Sequence, residues 1–301
     1  MNKITKAIIP IAGKGTRFLP ATKGVAKELF PVVDKPVLLL ILEECLNSGI
    51  KEVLLIITKE KEQDIRQLLS HDSDLEKSLI ASGKFGLLKD LNRVIDGLKI
   101  SYAYQRDDLI GTGGAIYMGK EFANGEDYAL LFGDDINYTE SGKRPVIGQL
   151  IDVYNKYGKM VLGCKQVEYA EVCKYGAVKI KEKLDDRTFL INGVVEKPKT
   201  GTQPSNIVSL ARYIMPYESF EHLERAMAEN PEFLKNRKEL CITSHAMDSI
   251  MHYEDAYAYL MDSIRYDTGD KLGYLIATVE HGLRHEQVGN EFREYLKNLK
   301  L

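Results

Sequence analysis

Apolar residues in the first 140 positions fall into short unbroken runs, and between the runs they recur every third or fourth place. The runs read as strands buried on both faces, and the spaced segments as helices with one apolar stripe. Ala7 to Ile11 is the first run. Val37 to Asn47 has helical spacing after Asp34-Lys35-Pro36, where proline suits the first helical position, and Gly49 stops it. A second run, Glu52 to Thr58, precedes a charged helix from Lys61 to Leu69. From His71 to Gly97 the pattern is helical and polar, broken at Gly83 and Gly86, and it leads to a strand over Lys99 to Tyr104. Gly111-Thr112-Gly113-Gly114-Ala115 opens a helix ahead of the run Tyr128 to Phe132. This alternation predicts a Rossmann-like α/β fold: a mostly parallel sheet flanked by helices, with right-handed crossovers. Ligands bind such sheets beyond the carboxyl ends of the strands.

Downstream the pattern changes. Met160 to Val167, Gly176 to Ile180, Phe189 to Glu196 and Ser205 to Met215 are strand-like with hairpin spacing, which predicts an added mixed β region packed on the far side of the sheet. Helices over Glu218 to Met227 and Ala246 to Tyr253, a strand over Ala256 to Met261 and amphipathic helices from Leu272 to Leu301 complete the chain. No internal repeat or low-complexity linker divides it, so a single domain is expected.

Composition removes several classes of function. Net charge is -3 and pI about 6.1, with acids and bases interleaved and no basic stripe, which argues against nucleic-acid binding. Lys59-Glu60-Lys61-Glu62 reads as a solvated helix face. Cys45, Cys164, Cys173 and Cys241 show no C-x-x-C spacing and suit a reducing cytosol. Met1 to Lys6 runs straight into the first strand, leaving no room for a signal peptide, and no apolar run has the length of a membrane span. A cytoplasmic protein without a membrane partner is expected.

The candidate chemistry lies in the loops. After Ala7 to Ile11 come Ala12, Gly13, Lys14, Gly15, Thr16 and Arg17, where two glycines allow backbone angles closed to other residues and bare N–H groups can cradle phosphates. Arg17 adds a fork of donors suited to phosphate oxygens. A plain strand-to-helix turn is the alternative, since the loop matches neither the dinucleotide fingerprint nor a P-loop. Gly133-Asp134-Asp135 follows a buried run, so its carboxylates would project into the cleft as hard ligands for Mg²⁺, unless they only cap a turn. Asp267 lies in a second glycine-bearing loop and could join Asp134. Lys27-Glu28 and Glu196-Lys197-Pro198 each pair a cation with an acid, which surface ion pairs would also explain.

Taken together, Gly13 to Lys23, Ala26-Lys27-Glu28, Asp34-Lys35-Pro36, Gly133-Asp134-Asp135, Val195 to Pro198, Pro204-Ser205-Asn206 and Arg265 to Tyr274 resemble the bacterial UTP–glucose-1-phosphate uridylyltransferases, in order over nearly the whole chain. The resemblance implies a nucleotide-diphospho-sugar transferase fold, with a nucleotide-binding half over 1–140 and a sugar-binding half with C-terminal helices over 141–301. It implies that Ala12, Gly13, Gly15, Thr16 and Glu28 hold the nucleotide, with Arg17 and Lys27 on its phosphates and Gln105 and Gly111 at the uracil. Asp134 and Asp267 would bind Mg²⁺. Asp135, Gly176 and Glu196 would serve the sugar phosphate, and Lys197 would grip its phosphate. A homo-oligomer, dimer or tetramer, is also implied.

No catalytic Ser, Cys or His is needed, because a sugar phosphate with a second pKa of about 6 is already largely dianionic. The barrier is repulsion between two anions, which cations at Arg17, Lys27, Lys197 and the metal would screen. A transferase for dTTP or another sugar 1-phosphate, or a weakly active regulatory paralogue, are the alternatives. Four stretches differ from the usual family pattern: Lys14 in place of Leu, Val25-Ala26 where many relatives have Pro, Gly111 to Ala115 in place of G-L-G-H-A, and Leu240 to Ser244 in place of I-Q-L-T-D.

Overall fold

The structure, a computed structural model, describes residues 4–71 and 74–300; the two positions after His71 in the expected polar segment lie outside it. In chain order the strands are β1 (Lys6–Pro10), β2 (Pro31–Val32), β3 (Lys35–Pro36), β4 (Glu52–Ile57), β5 (Lys99–Tyr104), β6 (Tyr128–Leu131) and β7 (Asp135–Tyr138). They continue as β8 (Val161–Gln166), β9 (Gly176–Lys183), β10 (Thr188–Glu196), β11 (Ile207–Met215), β12 (Ala256–Leu260) and β13 (Ile264–Asp267). Nine of them form one sheet in the order β5-β4-β1-β6-β11-β8-β12-β10-β9, with β9 also pairing β11.

The first half folds as its pattern predicts. β5, β4, β1 and β6 are parallel, and β1 sits between two neighbours, so Ala7, Ile8 and Ile9 are fully buried. Helices Val37–Asn47 and Val146–Tyr157 cover one face of the sheet; Thr112–Tyr117, Ser219–Glu229 and Asp248–Tyr253 cover the other. Pro36 departs slightly from expectation: it pairs with Pro31 and precedes the helix as its cap.

The second half does not form a separate layer on the far side. β11 runs antiparallel to β6 and carries β8, β12, β10 and β9 outward as an extension of the same sheet. Burial explains the choice, since Ile214 and Met215 of β11 continue the two cores on the faces of the parallel half. A second ribbon, antiparallel β7 with β13, stands apart from the main sheet and was not foreseen. Among the described residues no helix is long and apolar enough to cross a membrane.

Candidate active site

The glycine loops meet at the carboxyl ends of β1 and β6. There a cleft of about 350 Å³ is lined by Ala12, Gly13, Lys27, Glu28, Gln105, Gly111 and Asp134, all expected from the sequence, and by Thr112, Phe132, Glu239 and Cys241 among others. Ala12, Gly13, Lys27 and Gln105 also line an adjoining hollow of about 530 Å³, whose walls carry Lys14, Lys23, Lys59 and Lys61. The two spaces share these four residues, and in the hollow the lysines outnumber the acids Glu60, Asp64 and Asp107.

Two carboxylates meet beside it because the β7–β13 ribbon pairs Asp267 with Asp135, which puts Asp134 next to Asp267. A methyl group on Gly269 would stand 2.6 Å from Asp134 Oδ2 and 3.2 Å from Asp267 Oδ1, so both acids face one narrow gap that only glycine leaves open. Gly269 N–H donates to Asp267 Oδ1 at 3.0 Å, and the Lys27 ammonium pairs with Asp134. Mg²⁺ commonly takes one or two carboxylates and leaves its remaining positions to water and substrate phosphates. The two hard oxygen donors at this gap fit that ion, and among the described residues no group of three or more His, Cys, Asp and Glu makes a larger cage.

Asp135 corrects the sequence reading. It was expected at the sugar phosphate, but it is 2% exposed and turned into the core, where Arg265 pairs with it and Arg212 Nη1 lies 4.0 Å away. Burial pushes its pKa up to about 6 against the pull of both guanidinium groups. Arg265 also reaches Asp267 Oδ2 at 3.5 Å. Arg212, fully buried, donates to Glu44 Oε1 and Oε2 at 3.1 and 2.9 Å and to the Asp135 carbonyl at 2.6 Å. Glu44, Arg212, Asp135, Arg265 and Asp267 thus alternate in charge from the helix Val37–Asn47 to the gap beside Asp134.

In the opening loop only Gly15, at φ 63°, takes the left-handed backbone expected of both glycines. Thr22 Oγ1 donates to its carbonyl at 2.8 Å. Thr16 and Arg17 are exposed and line neither space, and Arg17 Nη1 donates to the Gly269 carbonyl at 3.3 Å, linking this loop to the gap between Asp134 and Asp267. Glu28, expected to hold the nucleotide, lines the cleft with its carboxylate engaged within the protein. Its side chain is 1% exposed and accepts from Lys61 Nζ at 2.8 Å. Burial raises its pKa while Lys61 pulls it down; burial likewise lowers that of Lys61 against the pull of Glu28. Lys61 is therefore part of the site and not a solvated face.

The far wall joins Gly111 to residues that the sequence did not single out as ligand contacts. Gly111, at φ 92°, packs so tightly on the next segment that a methyl there would stand 2.5 Å from the Leu240 carbonyl. Leu240 N–H donates to Ile110 O, Gly113 N–H to Leu240 O and Ile242 N–H to Thr112 Oγ1, at 3.0, 2.8 and 3.1 Å. Two of the stretches that differ from the family pattern are thus one contact, and only that shared difference marked them. Burial pushes the Cys241 thiol up, but hydrogen bonds from Thr243, Ser244 and Thr112 outweigh it and leave its pKa below the usual value.

Gly176, Glu196 and Lys197 gather elsewhere, at the base of the β9–β10 hairpin, where Glu196 pairs with Gly176 in register. Lys197 N–H donates to Tyr175 O at 2.9 Å, and its φ of 44° is a left-handed conformation that lysine rarely adopts. These three do not line the cleft or the hollow beside it.

Residues 6–280 match the nucleotidyl transferase family. UTP–glucose-1-phosphate uridylyltransferase 2 of Staphylococcus saprophyticus is 37% identical over 301 residues, covering all of both chains. A UTP-bound UGPase from Acinetobacter baumannii superposes with a TM-score of 0.87 at 30% identity, over 99% of this chain and all of that one. A UDP-glucose pyrophosphorylase complexed with UDP-glucose gives 0.81 at 28%, over 94% and 100%. Full-length identity above one third, together with the family match and the shared fold, places the chain plainly: it belongs to the nucleotidyl transferase family, among its bacterial UTP–glucose-1-phosphate uridylyltransferases.

Proposed function

We propose that the chain transfers the uridylyl group of UTP to glucose 1-phosphate, giving UDP-glucose and pyrophosphate by direct in-line attack. The observation that carries this reading is the meeting of a glycine loop, Lys27 and Asp134 at one cleft at the strand ends, with Asp267 across a narrow gap from Asp134. Ala12, Gly13, Gly15 and Thr16 would receive the triphosphate, with Arg17 and Lys27 offsetting its charge. Gln105, whose Nε2 now donates to Leu109 O at 3.3 Å, and the backbone at Gly111 would read the uracil edge. In this reading residues 1–140 carry most of the nucleotide site and 141–301 the sugar site. Asp134 and Asp267 would hold Mg²⁺, which when bound neutralises phosphate charge and polarises the phosphoryl oxygens.

The attacking group is the phosphate oxygen of glucose 1-phosphate, already anionic near neutral pH, so the protein's task is positioning and charge neutralisation. Gly176 and Glu196 would meet the glucose hydroxyls, and the unusual backbone at Lys197 supports a placed ligand role for its ammonium. Lys197→Ala is expected to raise KM for glucose 1-phosphate by roughly 10-fold or more and KM for UTP much less. An effect confined to UTP would put this lysine in the other half of the site.

The direct test is pyrophosphate release by the purified chain with Mg²⁺, crossing UTP, dTTP, ATP, CTP and GTP against several sugar 1-phosphates. Strong activity only with UTP and glucose 1-phosphate is expected. A different preferred pair would overturn the substrates, and silence throughout would favour a regulatory role. We read the chain as a cytoplasmic homo-oligomer, dimer or tetramer. Leu272, Leu275, Ile276 and Val279, exposed along one face of the helix Lys271–Arg284, support that assembly.

A further inference from the structure

Lys61 stands behind the opening loop, in the short turn Lys59–Lys61 that follows β4, the neighbour of β1. Its ammonium donates to Ile11 O and Gly13 O, each at 2.7 Å, and to Glu28 Oε2 at 2.8 Å. An ammonium has three N–H donors, so all three are engaged and none remains for an incoming phosphate. The side chain is 12% exposed and its partner Glu28 1%, so the clamp is held away from solvent.

The direction of those two carbonyls decides the direction of two donors. In a planar trans peptide the N–H points opposite to the C=O. With Ile11 O and Gly13 O turned to Lys61, the Ala12 and Lys14 N–H groups must point away from it. Neither donates to any other group of the described chain, and Ala12 and Gly13 line the cleft while Lys14 lines its cationic extension.

We propose that Lys61 is a positioning residue for the nucleotide: by fixing the Ile11 and Gly13 carbonyls it aims the Ala12 and Lys14 N–H groups at the phosphates. Phosphate binding by bare N–H groups depends on their being oriented beforehand, because a loop free to turn its carbonyls inward would present negative ends to an anion. Lys61 prevents that turn, and Glu28 balances its charge at the point where the loop has no other acid.

The inference rests on reading this loop as the UTP site, and wild-type chain that binds no UTP in calorimetry would remove that reading first. With binding established, Lys61→Met and Lys61→Arg are compared for UTP affinity, both KM values and thermal midpoint. Lys61→Met is expected to weaken UTP binding by roughly 10- to 100-fold while KM for glucose 1-phosphate stays within about twofold. Lys61→Arg keeps a charge beside Glu28, but its planar fork does not converge on two carbonyls and a carboxylate, so the same UTP-selective loss is expected. Normal UTP affinity in Lys61→Arg would mean that Lys61 serves only as the counter-ion of Glu28, and equal losses for both substrates would mean a general loosening of the site; either overturns the proposal. Hydrogen exchange on the wild-type chain gives an answer that does not depend on variants folding. Saturating UTP is expected to slow exchange at the Ala12 and Lys14 amides, and unchanged exchange there overturns it.

Discussion

Asp134→Ala is expected to reduce turnover by roughly 10³-fold or more with both substrates saturating, while the thermal midpoint changes little. The two readouts separate because of where the side chain sits. Asp134 is partly exposed at the mouth of the cleft, and its ion pair with Lys27 is one that solvent screens, so its removal costs the fold little. Its removal costs the reaction much more. The gap between Asp134 and Asp267 would lose half of its hard donors, and Lys27 would lose the acid that orients its ammonium. Two phosphate groups must then approach each other with less positive charge between them. Asp134→Asn, which keeps the shape and removes the charge, should fall nearly as far. Rapid-quench measurement of pyrophosphate release checks both variants, and turnover within about tenfold of wild type would remove Asp134 from the proposed metal site.

Much of the cleft was legible because its parts sit where a strand run ends in glycine, and that punctuation survives in the sequence. Asp134 was found by this logic and Asp135 was misplaced by it. Asp134 lies in the turn before β7 and lines the cleft, whereas Asp135, the first residue of the strand, turns to Arg212 and Arg265 in the core. The partnership of Asp134 with Asp267 needed the β7–β13 ribbon, whose strands of four residues each are too short to show a period. Lys61 was hidden by its neighbours. Lys59-Glu60-Lys61-Glu62 alternates like a solvated helix face, and nothing local says that one of its lysines turns inward to Glu28, 33 residues away. Hairpin spacing in the second half matches the β9–β10 hairpin, but β8 pairs with β11 and β12 and not with β9. That spacing carried no sign that β11 would attach to β6, because an unbroken apolar strand packs equally well in an extended sheet or a second layer.

Arg212→Met is expected to destabilise the fold by roughly 3–5 kcal/mol, because it removes the cation from a buried network and leaves the acids behind. Arg212 and Glu44 are both buried, and Glu44 also accepts the Ile147 N–H at 3.0 Å, so that carboxylate cannot swing out to water without breaking a second bond. Urea denaturation should show a lower midpoint with an unchanged slope. Adding Glu44→Gln keeps an acceptor for Ile147 and removes the uncompensated charge, so the double variant should recover part of the loss. Turnover is expected to recover less than stability. The Asp135 carbonyl would still lack the donor that Arg212 Nη2 supplies at 2.6 Å, and β7 is the strand whose start places Asp134 beside Asp267. Stability and turnover returning together would limit Arg212 to the core. Stability returning alone would show that the buried arginine, though it touches neither substrate, sets the geometry of the acids at the cleft.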